Sequence, residues 1–152
     1  MGEIRHSVEE AGRLATDRES LGRALRTLRQ KEIARIGWRD LVRAAPMKEV
    51  VAPLSELAAA AISAALDCAH REVAERHGEP LDYDSDVPIR MTVLGLGKLG
   101  GRELNLSSDV DLIFIYPESG ETNGERRISN QAFFTRVAQV LIDLLAAPTP
   151  EG

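Results

Sequence analysis

The stretch MTVLGLGKLGGRELNLSSDVDLIFIYP, residues 91–117, decides the fold of this chain. Two short apolar runs flank a glycine-rich turn, and Ser-Ser-Asp-x-Asp leads into the second run. Runs of this length rich in Val, Ile and Phe predict β-strands. Asp109 and Asp111 stand two positions apart at the start of the second strand, so both carboxylates are expected on one face. Two carboxylates this close repel each other, and their hard oxygen atoms suit Mg²⁺.

The composition is that of one soluble domain of 152 residues, with 43% hydrophobic and 28% charged residues. A net charge of −5 argues against broad binding to nucleic acid or anionic membranes. No apolar run approaches roughly 18–20 residues, and the first residues lack the apolar core of a signal peptide. The single cysteine, Cys68, excludes an intrachain disulfide and is expected to be buried and inert. These features predict a cytoplasmic protein.

Four segments follow from the sequence pattern. Residues 1–17 are expected to form a frayed or disordered N-terminus, and 18–78 a helical region. Pro46 divides that region into two helices that should pair as a hairpin, with Trp38 packed against the second. An acidic linker over 79–89 then leads to a partial catalytic core over 90–152, which ends with a helix over about 131–147. The buried face of this helix is expected to comprise Phe133, Phe134, Val137, Leu141, Leu144 and Leu145.

Two other groups of possible metal ligands are better explained without a metal. Asp82, Asp84 and Asp86 alternate as in a calcium loop, but the glycine and the terminal glutamate of an EF-hand are missing. A solvated linker is the better interpretation. His70 and His77 could share a helix face, but two histidines without a third ligand make a poor zinc site.

The glycines also spell G-x-G-x-x-G over residues 95–100, directly after the first strand, as in a dinucleotide-binding fingerprint. Only residues 101–108 separate these glycines from the acid pair, which is too short for a parallel crossover helix. A P-loop is not indicated either, because Lys98 lacks the preceding G-x-x-x-x-G spacing and the Ser or Thr that should follow the lysine. The spacing predicts two antiparallel strands joined by a glycine turn and a short helical segment.

Phosphate chemistry is the better interpretation of this segment, and the alternative is a plain β-hairpin with two solvated aspartates. Glycines in a tight turn let backbone N–H groups approach phosphate oxygens, while cationic and hydroxyl side chains bind the charge. The residues expected to bind a nucleotide are Gly97, Lys98, Gly100, Gly101, Arg102, Ser107 and Ser108. Asp109 and Asp111 are the expected catalytic and metal-binding residues, since two carboxylates can hold Mg²⁺ ions that bridge phosphate oxygens.

The run GLGKLGGRELNLSSDVDLIFIYPESGET resembles the signature of the glutamine synthetase adenylyltransferase/adenylyl-removing enzyme family. The resemblance extends over about residues 20–152, including EIARIGWRDL and the final helix. It implies an α+β fold, namely a partial polymerase-β-like nucleotidyltransferase core with a mixed or antiparallel sheet, preceded by a helical hairpin. In that superfamily pattern, Gly97 fills the glycine position, Lys98 replaces a common serine as it does in this family, and Asp109 and Asp111 fill the carboxylate pair.

Motifs at residues 105–109, 120–122 and 129–131 resemble the N-terminal half of this bifunctional enzyme. The resemblance implies Mg²⁺-dependent removal of AMP from a tyrosine of glutamine synthetase by inorganic phosphate, giving ADP, with two Mg²⁺ ions in the complete site. It also implies control by a PII-type signal protein and by glutamine. The alternatives are the half that transfers AMP from ATP, and a non-catalytic interaction module. A third carboxylate is expected after the Ala-Pro-Thr run, where this chain stops, so we expect an inactive fragment.

Overall fold

The computed structural model describes residues 2–42, 47–117 and 119–146, without the side chains of 40, 41 and 47–50. The helices and strands within this part of the chain are α1 (Gly2–Leu14), α2 (Arg18–Leu41), α3 (Met47–His77), β1 (Thr92–Gly95), α4 (Gly97–Gly100), β2 (Leu112–Ile115) and α5 (Asn130–Ala146). Strands β1 and β2 form a small antiparallel sheet. The protein is therefore mostly helical, and the predicted antiparallel strands around the glycine turn are confirmed.

The first residues differ from the sequence expectation of a frayed or disordered segment. They form α1, in which Ile4 and Val8 are buried. A methyl group added at Gly12 would lie 3.8 Å from the Cβ atom of Ala64 in α3, so α1 packs closely on that helix. Tertiary contact with an apolar face supplies the stability that the weak sequence periodicity did not reveal.

Helices α2 and α3 match the predicted helical region, although Pro46 lies outside the described residues and the hairpin stays a prediction. The expectation for Trp38 is wrong, because this side chain is 69% exposed. The sequence predicts one apolar stripe along α3, and most of its members are buried, namely Leu54, Leu57, Ile62, Ala65, Ala69 and Val73. Its other members, Ala58, Ala61 and Leu66, are half-buried. The expected burial of Cys68, beside the stripe, is confirmed. Over Val51–His77 this helix is long and apolar enough to cross a membrane by length and composition alone. Its buried stripe is that of a core helix.

Helix α5 confirms the predicted final helix and most of its buried face. Phe133, Phe134, Val137, Leu141 and Leu144 are buried, whereas Leu145 is 39% exposed. The hydroxyl oxygen of Ser129 accepts a hydrogen bond from the backbone N–H of Ala132 at 3.2 Å, as expected of a residue that caps the helix.

The chain divides into two compact units, and α3 and both strands contribute to each. Unit 1 comprises Met1–Ala64 and Leu94–Ile113, and unit 2 comprises Ala65–Val93 and Phe114–Gly152. The glycine turn and both aspartates of the acid pair lie in unit 1. The acidic linker and α5 lie in unit 2.

Within unit 1, one buried hydroxyl fixes the segment that leads to the acid pair. The Ser55 hydroxyl oxygen accepts a hydrogen bond from the backbone N–H of Leu104 at 3.0 Å. The same hydroxyl donates to the carbonyl oxygen of Val51 at 2.9 Å. Both Ser55 and Leu104 are buried, so neither group has water as a substitute partner.

Within unit 2, the fully buried Asn130 at the start of α5 joins two distant loops. Its side-chain amide donates to the carbonyl oxygens of Leu81, at 2.9 Å, and Ser119. Gly120, which directly follows Ser119, has a φ angle of +105°. A methyl group on Gly120 would lie 2.3 Å from the Leu81 carbonyl oxygen. Asparagine and glycine are therefore both required by the local packing.

The acidic linker carries a turn that is closed by its own side chain. The Asp82 carboxylate accepts hydrogen bonds from the backbone N–H groups of Asp84 and Ser85, both at 3.1 Å, and from the Ser85 hydroxyl at 2.9 Å. The Ser85 hydroxyl, followed by the Asp84 N–H, lowers the pKa of Asp82. This carboxylate is thus engaged in an Asx turn, which supports a structural linker rather than a calcium loop.

Asp17 caps α2 and should make stability depend on pH. Its carboxylate accepts from the Ser20 N–H at 2.7 Å, and this hydrogen bond is the main reason that the pKa of Asp17 is lowered. A lowered folded pKa gives stability that is present above the usual aspartate pKa and is lost as pH falls through the folded value. We expect Asp17→Ala to lower the free energy of unfolding at pH 7, and this deficit to shrink as pH falls through the folded pKa of Asp17. Urea denaturation across this pH range measures it. Asp67→Ala, at an exposed site on α3, is the control, and a deficit independent of pH would contradict the assignment.

Replacing Ser55 by alanine should weaken unit 1 near the acid pair. The change leaves the buried N–H of Leu104 without its partner, which costs about 1–3 kcal/mol of unfolding free energy. Ser63→Ala is the matched control, because Ser63 is exposed on the same helix and should change stability by less than about 0.5 kcal/mol. Equal effects of the two substitutions in chemical denaturation would show that the hydrogen bond to Leu104 is unimportant.

Candidate functional site

The glycines of the G-x-G-x-x-G run are required by the packing of the turn itself. A methyl group at Gly100 would lie 2.6 Å from the carbonyl oxygen of Gly95, and one at Gly95 would lie 2.7 Å from a methyl carbon of the buried Leu99. Gly97 has a φ of +53° and open space beside its α-carbon. Close approach of the backbone explains Gly100, contact with the Leu99 side chain explains Gly95, and backbone conformation explains Gly97. The antiparallel strands exclude the dinucleotide-binding arrangement, which needs a parallel sheet.

The backbone N–H groups at the end of this turn already have partners. Those of Gly100, Gly101, Arg102 and Glu103 donate to the carbonyl oxygens of Leu96, Gly97, Leu99 and Lys98 respectively. The sequence predicted that the glycine turn offers such groups to phosphate. In the folded chain, the N–H groups of Gly100 and Gly101 close the turn instead.

Two cationic side chains border the turn and are exposed to solvent, Lys98 within α4 and Arg102 just after it. Arg102 has a φ of +57°, which is uncommon for a residue other than glycine. Its N–H donates to the Leu99 carbonyl oxygen at 3.1 Å, so this conformation ends the short helix. Both cations are free to approach a phosphate, and neither is drawn into the packed turn.

Asn105 organises the segment that contains the two serines; the sequence indicated it only as part of the motif at residues 105–109, not as a site residue. Its side-chain oxygen accepts from the Ser108 hydroxyl at 2.5 Å and from the Ser107 N–H at 3.3 Å. The Ser108 N–H in turn donates to the Asn105 carbonyl oxygen at 3.2 Å. The pattern Asn-x-Ser-Ser is a recognisable signal for such an Asx turn. In this conformation the serine hydroxyls donate to Asn105 rather than to a ligand.

Asp109 and Asp111 lie immediately before β2, which begins at Leu112, and both are exposed. The sequence predicted that both residues lie on the strand itself. The backbone still continues the pairing by one residue, because the Leu96 N–H donates to the Asp111 carbonyl oxygen at 2.9 Å. This hydrogen bond brings the acid pair to the entrance of the glycine turn, beside α4, as the sequence predicted.

The acid pair supplies ligands of the right kind for Mg²⁺ but few of them. Carboxylate oxygens match the preference of this ion, and exposure leaves room for its water ligands. Among the residues that the structure describes, no group of three or more His, Cys, Asp or Glu side chains could hold a metal. His70 and His77 have other partners, since His70 contacts the Glu79 carboxylate at 2.7 Å and His77 contacts a backbone carbonyl.

Comparison with known proteins identifies the family. A model of the glutamate-ammonia ligase adenylyltransferase family, GlnE, matches residues 2–152. A bifunctional glutamine synthetase adenylyltransferase/adenylyl-removing enzyme of Thioalkalivibrio sulfidiphilus is 49% identical over 99% of this chain. Enzymes of the same description from Pseudomonas aeruginosa and Chromobacterium violaceum are 49% and 51% identical over 99% and 88% of it.

The matched region is a small part of these relatives. The chain spans 16% of the Thioalkalivibrio and Pseudomonas proteins and 15% of the Chromobacterium protein. The family model nevertheless covers the whole chain except its first residue, and the resemblance expected from residues 20–152 is confirmed and extended through α1. This chain belongs to the glutamate-ammonia ligase adenylyltransferase family, within the nucleotidyltransferase superfamily.

Proposed function

We propose that this chain forms part of a cytoplasmic nucleotidyltransferase that removes AMP from an adenylylated tyrosine of glutamine synthetase and so regulates nitrogen assimilation. The observation that carries the proposal is the hydrogen bond between the Leu96 N–H and the Asp111 carbonyl oxygen, at 2.9 Å. It brings two exposed carboxylates next to a turn bordered by Lys98 and Arg102. Such an arrangement is suited to a phosphorylated substrate and a divalent cation.

In the proposed reaction, an oxygen of inorganic phosphate attacks the phosphorus atom that links AMP to the tyrosine. The bond from phosphorus to the tyrosine oxygen breaks, the tyrosine takes up a proton, and ADP is formed. Lys98 and Arg102 would bind phosphate oxygens of the nucleotide or of the attacking phosphate. Asp109 and Asp111 would hold Mg²⁺, and that ion would supply positive charge to stabilise the transition state of phosphoryl transfer.

The complete site requires more than the described residues provide. Two carboxylates leave a divalent cation with a shortage of protein ligands, and the proposed pair of Mg²⁺ ions needs at least one further carboxylate. We place that residue elsewhere in a full-length protein, because the relatives are about six times as long as this chain. The isolated chain is therefore expected to bind divalent cations weakly and to lack activity.

The direction of AMP transfer rests on sequence motifs rather than on geometry. Two of these motifs contain residues with structural tasks, since the Thr122 hydroxyl oxygen accepts from the Ile128 N–H at 3.1 Å and Asn130 joins two loops. Removal and addition of AMP act on the same tyrosine through related transition states, so the same side chains suit either direction. Removal is our choice because three separate motifs resemble the N-terminal half. A PII-type signal protein is the proposed regulator.

Loss of both aspartates should abolish divalent cation binding by the isolated chain. Mn²⁺, a paramagnetic substitute for Mg²⁺, is expected to broaden the amide resonances of residues 109–112 and of α4 selectively. Asp109→Ala combined with Asp111→Ala should remove this broadening, because no other described carboxylate cluster could replace the pair. Asp84→Asn in the acidic linker is the matched control and should leave it unchanged. Broadening that persists in the double variant would exclude the metal site.

The direction of transfer can be tested in a chimera in which this chain replaces the matching segment of the Pseudomonas aeruginosa relative. That relative is bifunctional, so each of its activities controls for folding when the other is lost. We expect the double aspartate variant to lose phosphate-dependent release of ADP from adenylylated glutamine synthetase, by at least about 10³-fold, and to retain labelling by ATP. The reverse pattern would assign the chain to the adenylylating half. Retention of both activities would identify it as an interaction module.

A further inference from the structure

A small cleft of about 280 Å³ lies in unit 2, between the last turns of α3 and the middle of α5. None of its residues belongs to the proposed nucleotide site. Two arginines, a histidine and two carboxylates line the cleft, together with a glutamine and two valines. The lining residues are Glu72, Val73, Arg76, His77, Arg136, Gln139, Val140 and Asp143.

The imidazole of His77 has a defined tautomer because of its two partners. Its Nδ1 atom lies 2.8 Å from the backbone carbonyl oxygen of Arg126, which can only accept a hydrogen bond. Nδ1 therefore carries a proton. Its Nε2 atom contacts a guanidinium nitrogen of Arg136, which can only donate. Nε2 is therefore the acceptor, and the ring between these partners is neutral.

The Arg126 carbonyl group, which orients His77, belongs to a loop that is itself hydrogen-bonded to the end of α3. The Gly124 N–H donates to the His77 carbonyl oxygen at 3.0 Å. Glu79 and Asn123 exchange two further hydrogen bonds, from the Glu79 N–H at 2.9 Å and from the Asn123 N–H at 3.1 Å. These three contacts fasten the loop that contains Arg126 to the end of α3. The orientation of the histidine is thus built into the fold.

Arg136 is consequently held by a neutral group and keeps its full positive charge. A guanidinium that is oriented in this way, with most of its five N–H groups still available, is suited to a carboxylate or a phosphate. Arg76 provides a second cation on the same cleft. Its contact with Glu72 is 3.9 Å long, too long for a hydrogen bond, and leaves Arg76 able to turn toward a ligand.

The other groups of the cleft limit the kind of anion that fits. With His77 neutral, the two arginines and the carboxylates of Glu72 and Asp143 sum to no net charge, which disfavours a polyanion such as nucleic acid. The volume of about 280 Å³ has room only for a small molecule. The negative end of the α3 dipole also faces this region, but the Gly78 N–H donates to the Ala74 carbonyl oxygen at 2.7 Å and satisfies one of its terminal groups.

We propose that this cleft binds a small oxyanion, a phosphate or a carboxylate, through Arg136 and Arg76, and that His77 positions Arg136 for it. The proposal is independent of the nucleotidyltransferase site, since every residue it uses lies in unit 2.

The test is a titration of the 152-residue chain with inorganic phosphate and, separately, with acetate, at constant ionic strength in chloride. The Nε–H resonance of Arg136 and the ring nitrogens of His77 are followed by NMR. We expect saturable shifts with at least one of the two anions. Saturation by phosphate alone assigns a phosphate site, and saturation by acetate alone assigns a carboxylate site.

Substitutions separate a specific site from general attraction of anions. Arg136→Gln should weaken binding by about tenfold or more, read from the His77 resonances. Arg136→Lys should weaken it by less, because it keeps the charge and loses the planar fork. Arg71→Gln is the control, because Arg71 is an exposed arginine of α3, the helix of Arg76, and does not line the cleft; this variant should bind as the unmodified chain does. Shifts that rise linearly with both anions, or equal affinity in all three variants, would overturn the proposal.

Discussion

The close contact between Gly100 and the carbonyl oxygen of Gly95 is the constraint on which the candidate site depends. No side chain fits at Gly100, because even a methyl group would lie 2.6 Å from that oxygen. The contact compresses the chain after β1 into one short helix, α4, and buries Leu99 beneath it. Lys98 and Arg102 are left at the surface, beside the point where Asp111 pairs with Leu96. Backbone packing therefore sets the course of the turn that carries these cations and of the segment that leads from Asp111 into β2.

Elsewhere in the chain, buried polar side chains fix the position of neighbouring backbone segments through hydrogen bonds. In unit 1, the Ser55 hydroxyl fixes Leu104 and with it the start of the Asn105 turn. In unit 2, Asn130 joins the loops at Leu81 and Ser119. Buried hydrogen bonds of this kind define one conformation, because a shift of either partner leaves a polar group without water or protein to satisfy it. They explain why irregular segments can carry well-placed side chains in a protein with so small a sheet.

The sequence correctly predicted features that depend on the local pattern of residues. It was less informative about features that depend on contacts between distant segments. The amphipathic pattern of α5 predicted its buried face, and the short spacing between the glycines and the acid pair predicted antiparallel strands. The disposition of Trp38 was missed, since periodicity does not reveal whether a neighbouring surface exists to cover a residue. The stability of α1 was missed for the related reason that a weak local pattern can be offset by contact with α3. The nucleotide-binding roles expected of Gly100 and Gly101 stay predictions, and the structure adds that the N–H groups of both residues close the turn.

The sequence by itself determined the family, the acid pair at the entrance to β2, the glycine turn and the helices α2, α3 and α5. These features depend on spacing and residue type, which a single chain displays directly. The tertiary structure alone decided which hydrogen-bonding groups are already used, because partners such as Ser55 and Leu104, or His77 and Arg136, are far apart in the sequence. Hydrogen-bond partners depend on distances of a few ångströms in three dimensions. Residue spacing along the chain does not encode those distances, so only the fold could show which carboxylates and cations remain available at the acid pair.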